Sequence, residues 1–375
     1  MPSMLLRLAV LALLVPAAFS AAPAPAGPSD NPLAYLSPGY QIHATVHYRV
    51  RHKDAAVAAR VGANLEALHA AFFKYFRASL TARIPFAPLE AVVVASPAEY
   101  EALARNVAKA GSIQTDGFYH PKSKFLMLKN SSPMVAIHEG AHQLLHASGI
   151  QSDIGDTWTS EGLAELFAAG FKDGQVNPGP PHLLRLSGYR MAKEKKMLRP
   201  LRELVSFGNE TNFLQKGYTQ DQMSVAYDQF WALVHFLLQG EGGKNREKFF
   251  DFLQDSATEN QVQIPKPVRV VAKNPAALKK KMDQTQKQMD KAVKAQVSSL
   301  DDKRLARFKE YFGEDFAALQ KRMDESILAI PIPRGALVQQ AVNVGALAKP
   351  PPAKAPPAKP PAVKPPAVKS PAIRK

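Results

Sequence analysis

The order of hydrophobic periodicities along the chain predicts an α+β fold: a small mixed β-sheet with a buried helix against it, followed by a mostly helical C-terminal half. Three observations carry this. Strand-like alternation and short buried apolar runs are confined to residues 40–129. Helical patterns then dominate from Pro133 to Ile330. Strands grouped ahead of helices, rather than alternating with them, point to an α+β layout. With 375 residues, 46% of them hydrophobic, the chain can bury a sizeable core.

Taken in order, Tyr40–Arg51 reads as one strand, with Ile42, Ala44, Val46 and Tyr48 on one face. Asp54–Leu80 reads as a long amphipathic helix, and Leu89–Ala95 as a buried strand. Ser96-Pro97 opens a helix through about Lys109, since serine caps and proline suits the first turn. Gln114–His120 and Lys124–Lys129 read as two strands joined by a turn at Pro121. Ser132 as N-cap, Pro133 at the first helical position and Gly149 as stop bracket the next helix. A loop over Ile150–Thr157 leads to the helix WTSEGLAELFAAG, ending near Gly170. Further helices are expected at Pro181–Lys196, Pro200–Phe207, Gln222–Gln239, Arg246–Asp255, Asp301–Phe312 and Glu314–Ile330.

The ends of the chain have their own character. Arg7 precedes the apolar run Leu8–Phe19, which is shorter than the ~20 residues of a membrane span. Small residues follow it, so residues 1–20 read as a signal peptide cleaved near Ser20–Ala22, and 21–38 as a flexible Ala/Pro leader. The expectation is an exported protein, periplasmic or secreted, with no transmembrane helix after cleavage. Cysteine is absent, so no disulfide can stabilise it. The net charge of +16 is concentrated in two appendages. One is a basic helical insertion at 260–300, with nine basic residues against Asp283 and Asp290. The other is the Ala/Pro/Lys-rich tail at 336–375, whose last 27 residues hold seven basic and no acidic groups. The remainder is nearly neutral, which argues against nucleic acid as a partner. The tail reads as a polyproline-like rod able to make weak contact with an anionic cell envelope. Between these appendages lie an N-terminal α/β subdomain (39–130), a helical subdomain carrying the motif described next (131–259) and C-terminal helices (301–335).

The chemistry concentrates in MVAIHEGAHQLLHASG, Met134–Gly149, which holds three of the ten histidines at four-residue spacing. Residues i and i+4 share a helix face, so His138 and His142 can each aim a ring nitrogen at one metal ion. Glu139 lies ~100° further round the helix and can reach a water on that ion. A catalytic zinc ordinarily takes three protein ligands. Nineteen positions after His142, Glu161 opens the next helix and can be the third. Glu165, one turn on, can accept the N–H of a ligating histidine. His146 would stand ~12 Å along the axis from His138 and cannot share the metal, so it reads as a cleft-wall or core histidine.

HEGAH followed by WTSEGLAE resembles the gluzincins, the thermolysin-like branch of HExxH zinc peptidases. More narrowly it is similar to bacterial exported proteins of unassigned function with peptidase-like domains. GFYHPKSKFLML, AYDQFWALVHFLL and FGEDFAALQKRM add to the likeness, which covers roughly residues 90–330. The resemblance implies a zincin-like domain, Zn²⁺ on His138, His142 and Glu161, Glu139 as general base, and Glu165 orienting a ligating histidine. Ser160 stands where the family usually has asparagine. The resemblance further implies that strand Lys124–Lys129 edges the cleft and pairs with an extended peptide. The expected activity is therefore that of an exported zinc metallopeptidase acting on peptide or protein. The oxyanion donor is expected to be Tyr227, with His235 and Tyr218 behind it. The alternative is a catalytically idle, peptidase-like module that binds at the cell envelope.

Overall fold

The computed structural model describes residues 31–77, 80, 82–108, 115–151, 155–208, 218–259 and 299–333. The expected signal peptide, most of the leader, nearly all of the basic insertion and the tail lie outside the described residues. Among those described, no helix is long and apolar enough to cross a membrane.

The fold is α+β. After a short 3-10 turn at Pro32–Tyr35 come β1 (Gln41–Ala44), β2 (Tyr48–His52), helix α1 (Ala55–Phe76), β3 (Leu89–Val93), α2 (Pro97–Asn106), β4 (Gly117–His120) and β5 (Phe125–Leu128). The five strands form one mixed sheet in the order β1-β2-β3-β5-β4. β2, β3 and β5 run parallel, and an antiparallel strand closes each edge. Helices α3 (Pro133–Ala147) and α4 (Thr157–Ala169) follow, then a small hairpin of β6 (Phe171–Lys172) and β7 (Gln175–Val176). The C-terminal half is helical: α5 (Leu183–Glu194), α6 (Leu201–Ser206), α7 (Gln220–Gln239), α8 (Arg246–Glu259), α9 (299–312) and α10 (Phe316–Leu328).

Three local expectations are corrected. The single strand expected over Tyr40–Arg51 is a hairpin. Its turn is made by a tertiary partner: Glu66 on α1 accepts from Thr45 Oγ1 and from the N–H of His47, at 2.6 and 2.7 Å. Val46 is therefore exposed while Tyr48 and Val50 are buried. Ser132 makes no side-chain capping bond; its own N–H is held by Asn130 Oδ1 instead. The β6–β7 hairpin went unread, although Asp173-Gly174 carries the signal: both residues have positive φ, as a tight two-residue turn requires.

Among the described residues, the larger of two buried apolar clusters runs without a break from Tyr48 to Ile327, and a smaller one joins Val92, Val94 and Met127 of the sheet to Tyr100, Leu103 and Val107. The metal-motif helix α3 is pressed between α1 and α4. Gly140 lets α1 approach, since a Cβ there would lie 2.8 Å from both Leu65 and Leu68. Gly162 does the same for α7: a Cβ would come within 2.5 Å of the Phe230 carbonyl. These close approaches set α3 against α1 and α4 against α7. Behind α4, Trp158 is walled by Phe249, Phe252 and Phe308. Asp156, 1% exposed just before α4, meets Arg304 and Arg307 of α9 at 3.4 and 2.7 Å.

Candidate metal site

His138 and His142 stand one turn apart on α3, both partly buried, and Glu161 approaches from the second turn of α4. The Nε2 atoms of the two histidines are 3.2 Å apart. Glu161 Oε2 is 3.3 Å from His138 Nε2 and 3.4 Å from His142 Nε2. Among the described residues this is the group of three or more His, Cys, Asp or Glu side chains that could hold a metal ion.

The donors fit zinc. Tetrahedral zinc with bonds of about 2.0–2.1 Å separates its donor atoms by about 3.3 Å. The three edges of this triangle, 3.2, 3.3 and 3.4 Å, match that spacing. Glu161 Oε2 is moreover buried and meets no N–H or O–H other than the two imidazoles, a costly state for a carboxylate oxygen unless a cation meets it.

Charge in the site favours a cation. Burial pushes the Glu161 carboxyl up, but the charge of His142 and the bonds to both histidines outweigh it and hold it down at about 2. Burial likewise pushes His138 down, while Glu161, Glu165 and Glu139 outweigh it and lift it to about 9. Three carboxylates around two imidazoles bind a proton tightly, and they would bind a metal cation for the same reason.

The outward nitrogens are also held. His142 Nδ1 lies 2.9 Å from Ser160 Oγ. His138 Nδ1 lies 3.6 Å from Glu165 Oε1, beyond a good hydrogen bond but facing it. Glu165 is 4% exposed and takes Arg185 Nη2 at 2.6 Å and His182 Nε2 at 3.2 Å. Arg185 is shared with Asp228 Oδ1 at 3.2 Å. Burial raises the Asp228 carboxyl to about 7 in spite of that arginine. Sequence reasoning missed Ser160 as the partner of His142, and missed His182, Arg185 and Asp228 altogether. Ser160 carried a local signal, its place next to Glu161. The other three become neighbours only through the packing of α5 and α7 on α4.

A cleft of about 1070 Å³ opens over the triangle, between β4 and helices α3, α4, α5 and α7. Glu139 lines it, and its Oε2 accepts the N–H of Tyr119 at 3.1 Å. Burial, the largest influence, raises the Glu139 carboxyl above its ordinary value. Tyr227 also lines the cleft; the negative charge of Glu161, then burial, keeps its phenol protonated far above the usual range. The two reserve donors do not reach the site. His235 is buried against Trp231, and Tyr218 donates to Glu203 under Arg199. His146 is on the cleft wall with Nδ1 2.8 Å from Tyr119 Oη, apart from the triangle.

The edge strand also differs from expectation. Lys124–Lys129 was to edge the cleft, but β5 lies inside the sheet between β3 and β4. The turn at 121–124 folds the preceding strand onto its outer side, so β4 is the edge. The N–H of Tyr119 points away from β5 to Glu139, and Gly117, two residues earlier, presents its backbone to the same side.

Residues 134–263 match the model of a family described as "Protein of unknown function (DUF1570)". No curated protein matches the chain. The matched segment holds His138, Glu139, His142, Glu161, Glu165 and Tyr227, and leaves out the sheet, α1, α9 and α10.

Proposed function

We propose that this chain is an exported zinc metallopeptidase of the gluzincin type, hydrolysing peptide bonds in the cleft above α3. One observation carries the reading: a three-atom donor triangle of tetrahedral-zinc dimensions, with a buried carboxylate oxygen at one corner that meets only the other two donors, and a cleft-facing glutamate beside it. His138, His142 and Glu161 are the residues that would hold the ion. Zinc bound there would supply Lewis acidity, lowering the pKa of a water and polarising a carbonyl.

The chain's own groups do the rest. Glu139, its carboxyl raised above the ordinary value by burial, takes a proton from the attacking water and returns it to the leaving nitrogen. Tyr227, protonated throughout the working range, donates to the oxygen that gains negative charge. β4 is the rail: an extended peptide adds along the outer side of that edge strand, toward which Gly117 and Tyr119 turn their backbones, displacing Glu139 from the N–H of Tyr119 and Thr115 Oγ1 from the carbonyl of Gly117. Export rests on the apolar run Leu8–Phe19, and weak cell-envelope contact on the basic proline-rich tail.

The test pairs metal analysis with turnover. Protein prepared without added metal and dialysed into zinc is expected to hold one zinc per chain and to cleave a casein or peptide pool. Glu139→Gln is expected to keep the zinc and lose turnover by about 10²–10⁴-fold. Zinc retained by the wild type with no turnover on any peptide pool would favour the idle binding module instead.

A further inference from the structure

Glu161 and Glu165 project from α4 one turn apart, and both lie near His138. By chemistry alone, either carboxylate could take the third position on a cation held by the two imidazoles. They differ in the N–H groups already attached to them. Glu161 Oε2 meets only Nε2 of His138 and of His142, the two atoms that would share the ion with it. Glu165 is tethered at both oxygens, Oε1 by Arg185 and Oε2 by His182.

Both tethers come from the start of α5. His182 is the N-cap of that helix: its Nδ1 accepts the N–H of Arg185 at 3.4 Å. A neutral imidazole that accepts at Nδ1 carries its hydrogen on Nε2. That hydrogen is directed at Glu165 Oε2, 3.2 Å away, and the ring is 5% exposed. The cap therefore sets the tautomer, and the tautomer makes His182 a donor to Glu165.

We propose that His182 is a positioning residue for the metal centre: by capping α5 with one nitrogen and donating to Glu165 with the other, it keeps Glu165 out of the coordination sphere and turned toward His138. The proposal rests on the zinc reading of the site. It explains why two carboxylates on one helix face have unlike surroundings, and it assigns Glu165 the outer role because an N–H from α5 already holds each of its oxygens. With Glu165 anchored, Nδ1 of His138 has a fixed acceptor and Nε2 is left free for the ion.

The two nitrogens of His182 can be tested apart. Asparagine places an acceptor near the position of Nδ1 and nothing near Nε2. Glutamine places an N–H near Nε2 and is a poor cap. In the full chain, zinc affinity is measured by competition with a chromophoric chelator, alongside Tm of the metal-free protein. His182→Asn is expected to keep the metal-free Tm and bind zinc about 10–100-fold more weakly. His182→Gln is expected to lower that Tm and keep the wild-type zinc affinity. Wild-type affinity in His182→Asn overturns the proposal alone, as does a loss of affinity that follows Tm in both variants. A wild-type chain that binds no zinc overturns the centre itself, and this role with it.

Discussion

Gly117→Ala tests whether Glu139 owes its position to the edge strand. A Cβ on residue 117 would stand 2.8 Å from Val135 Cγ1, 2.9 Å from Glu139 Cγ and 3.1 Å from Leu128 Cδ2. Carbon atoms in good contact are about 3.5–4.0 Å apart, so each neighbour must yield by roughly 0.4–1.2 Å. Val135 is β-branched in a helix and confined to one rotamer. Leu128 is fully buried in the core. The side chain with freedom to move is Glu139, and movement pulls it from the N–H of Tyr119. Misplacement by about 1 Å can cost ~10²-fold in rate, whereas overpacking of this kind costs about 1–3 kcal/mol of stability. The assay is kcat on a peptide substrate, with zinc content and the urea midpoint measured on the same preparation. The expected result is a rate loss of about 10²-fold with zinc retained. Unchanged kcat in a folded Gly117→Ala protein would refute the placement of Glu139 as the base.

Three further outcomes are expected. His69 and His235 are each 6% exposed and each pushed down to about 4, by burial above all. Above pH 6.5 neither folded nor unfolded chain protonates them, while between 6.5 and 4 only the unfolded chain does. Stability therefore falls through that window, by about 3 kcal/mol per histidine at 1.36 kcal/mol per pKa unit. Urea midpoints from pH 7 to 4 check this, and His235→Phe should flatten the slope. Asp156→Ala removes the buried carboxylate that Arg304 and Arg307 share, leaving Arg304 its contact with Asp301, and should cost about 3–5 kcal/mol in urea unfolding. Glu161→Gln removes the only carboxylate of the donor triangle and should abolish retention of zinc on a desalting column while leaving helical content, read by circular dichroism, unchanged.

The site was legible where its chemistry is local. His138, Glu139 and His142 share one helical turn and a half, so their geometry follows from helix pitch. Glu161 and Glu165 could be added because two buried carboxylates on an apolar helix need partners. The same locality explains the misreadings. Thr45–His47 looks like the middle of a strand until Glu66, some twenty residues on, draws it into a turn. The resemblance implies an edge position for β5, whereas edge position depends on the side to which β4 folds back. Tyr218 and His235 stand as reserve oxyanion donors behind Tyr227 on the sequence, yet Glu203 and Trp231 claim them. His182, Arg185 and Asp228 carried no local mark, since nothing in a helix start or a lone aspartate names its partner across the bundle.

The unbroken core has a practical meaning for anyone cutting this gene. A fragment trimmed to 134–263 would keep every proposed ligand and still be a poor expression target. It would bare the Gly140 groove that Leu65 and Leu68 fill, strip Phe308 from Trp158, and strand Asp156 without its arginines. Such a piece should be recovered from inclusion bodies, and the shortest soluble version should begin before β1 and end after α10.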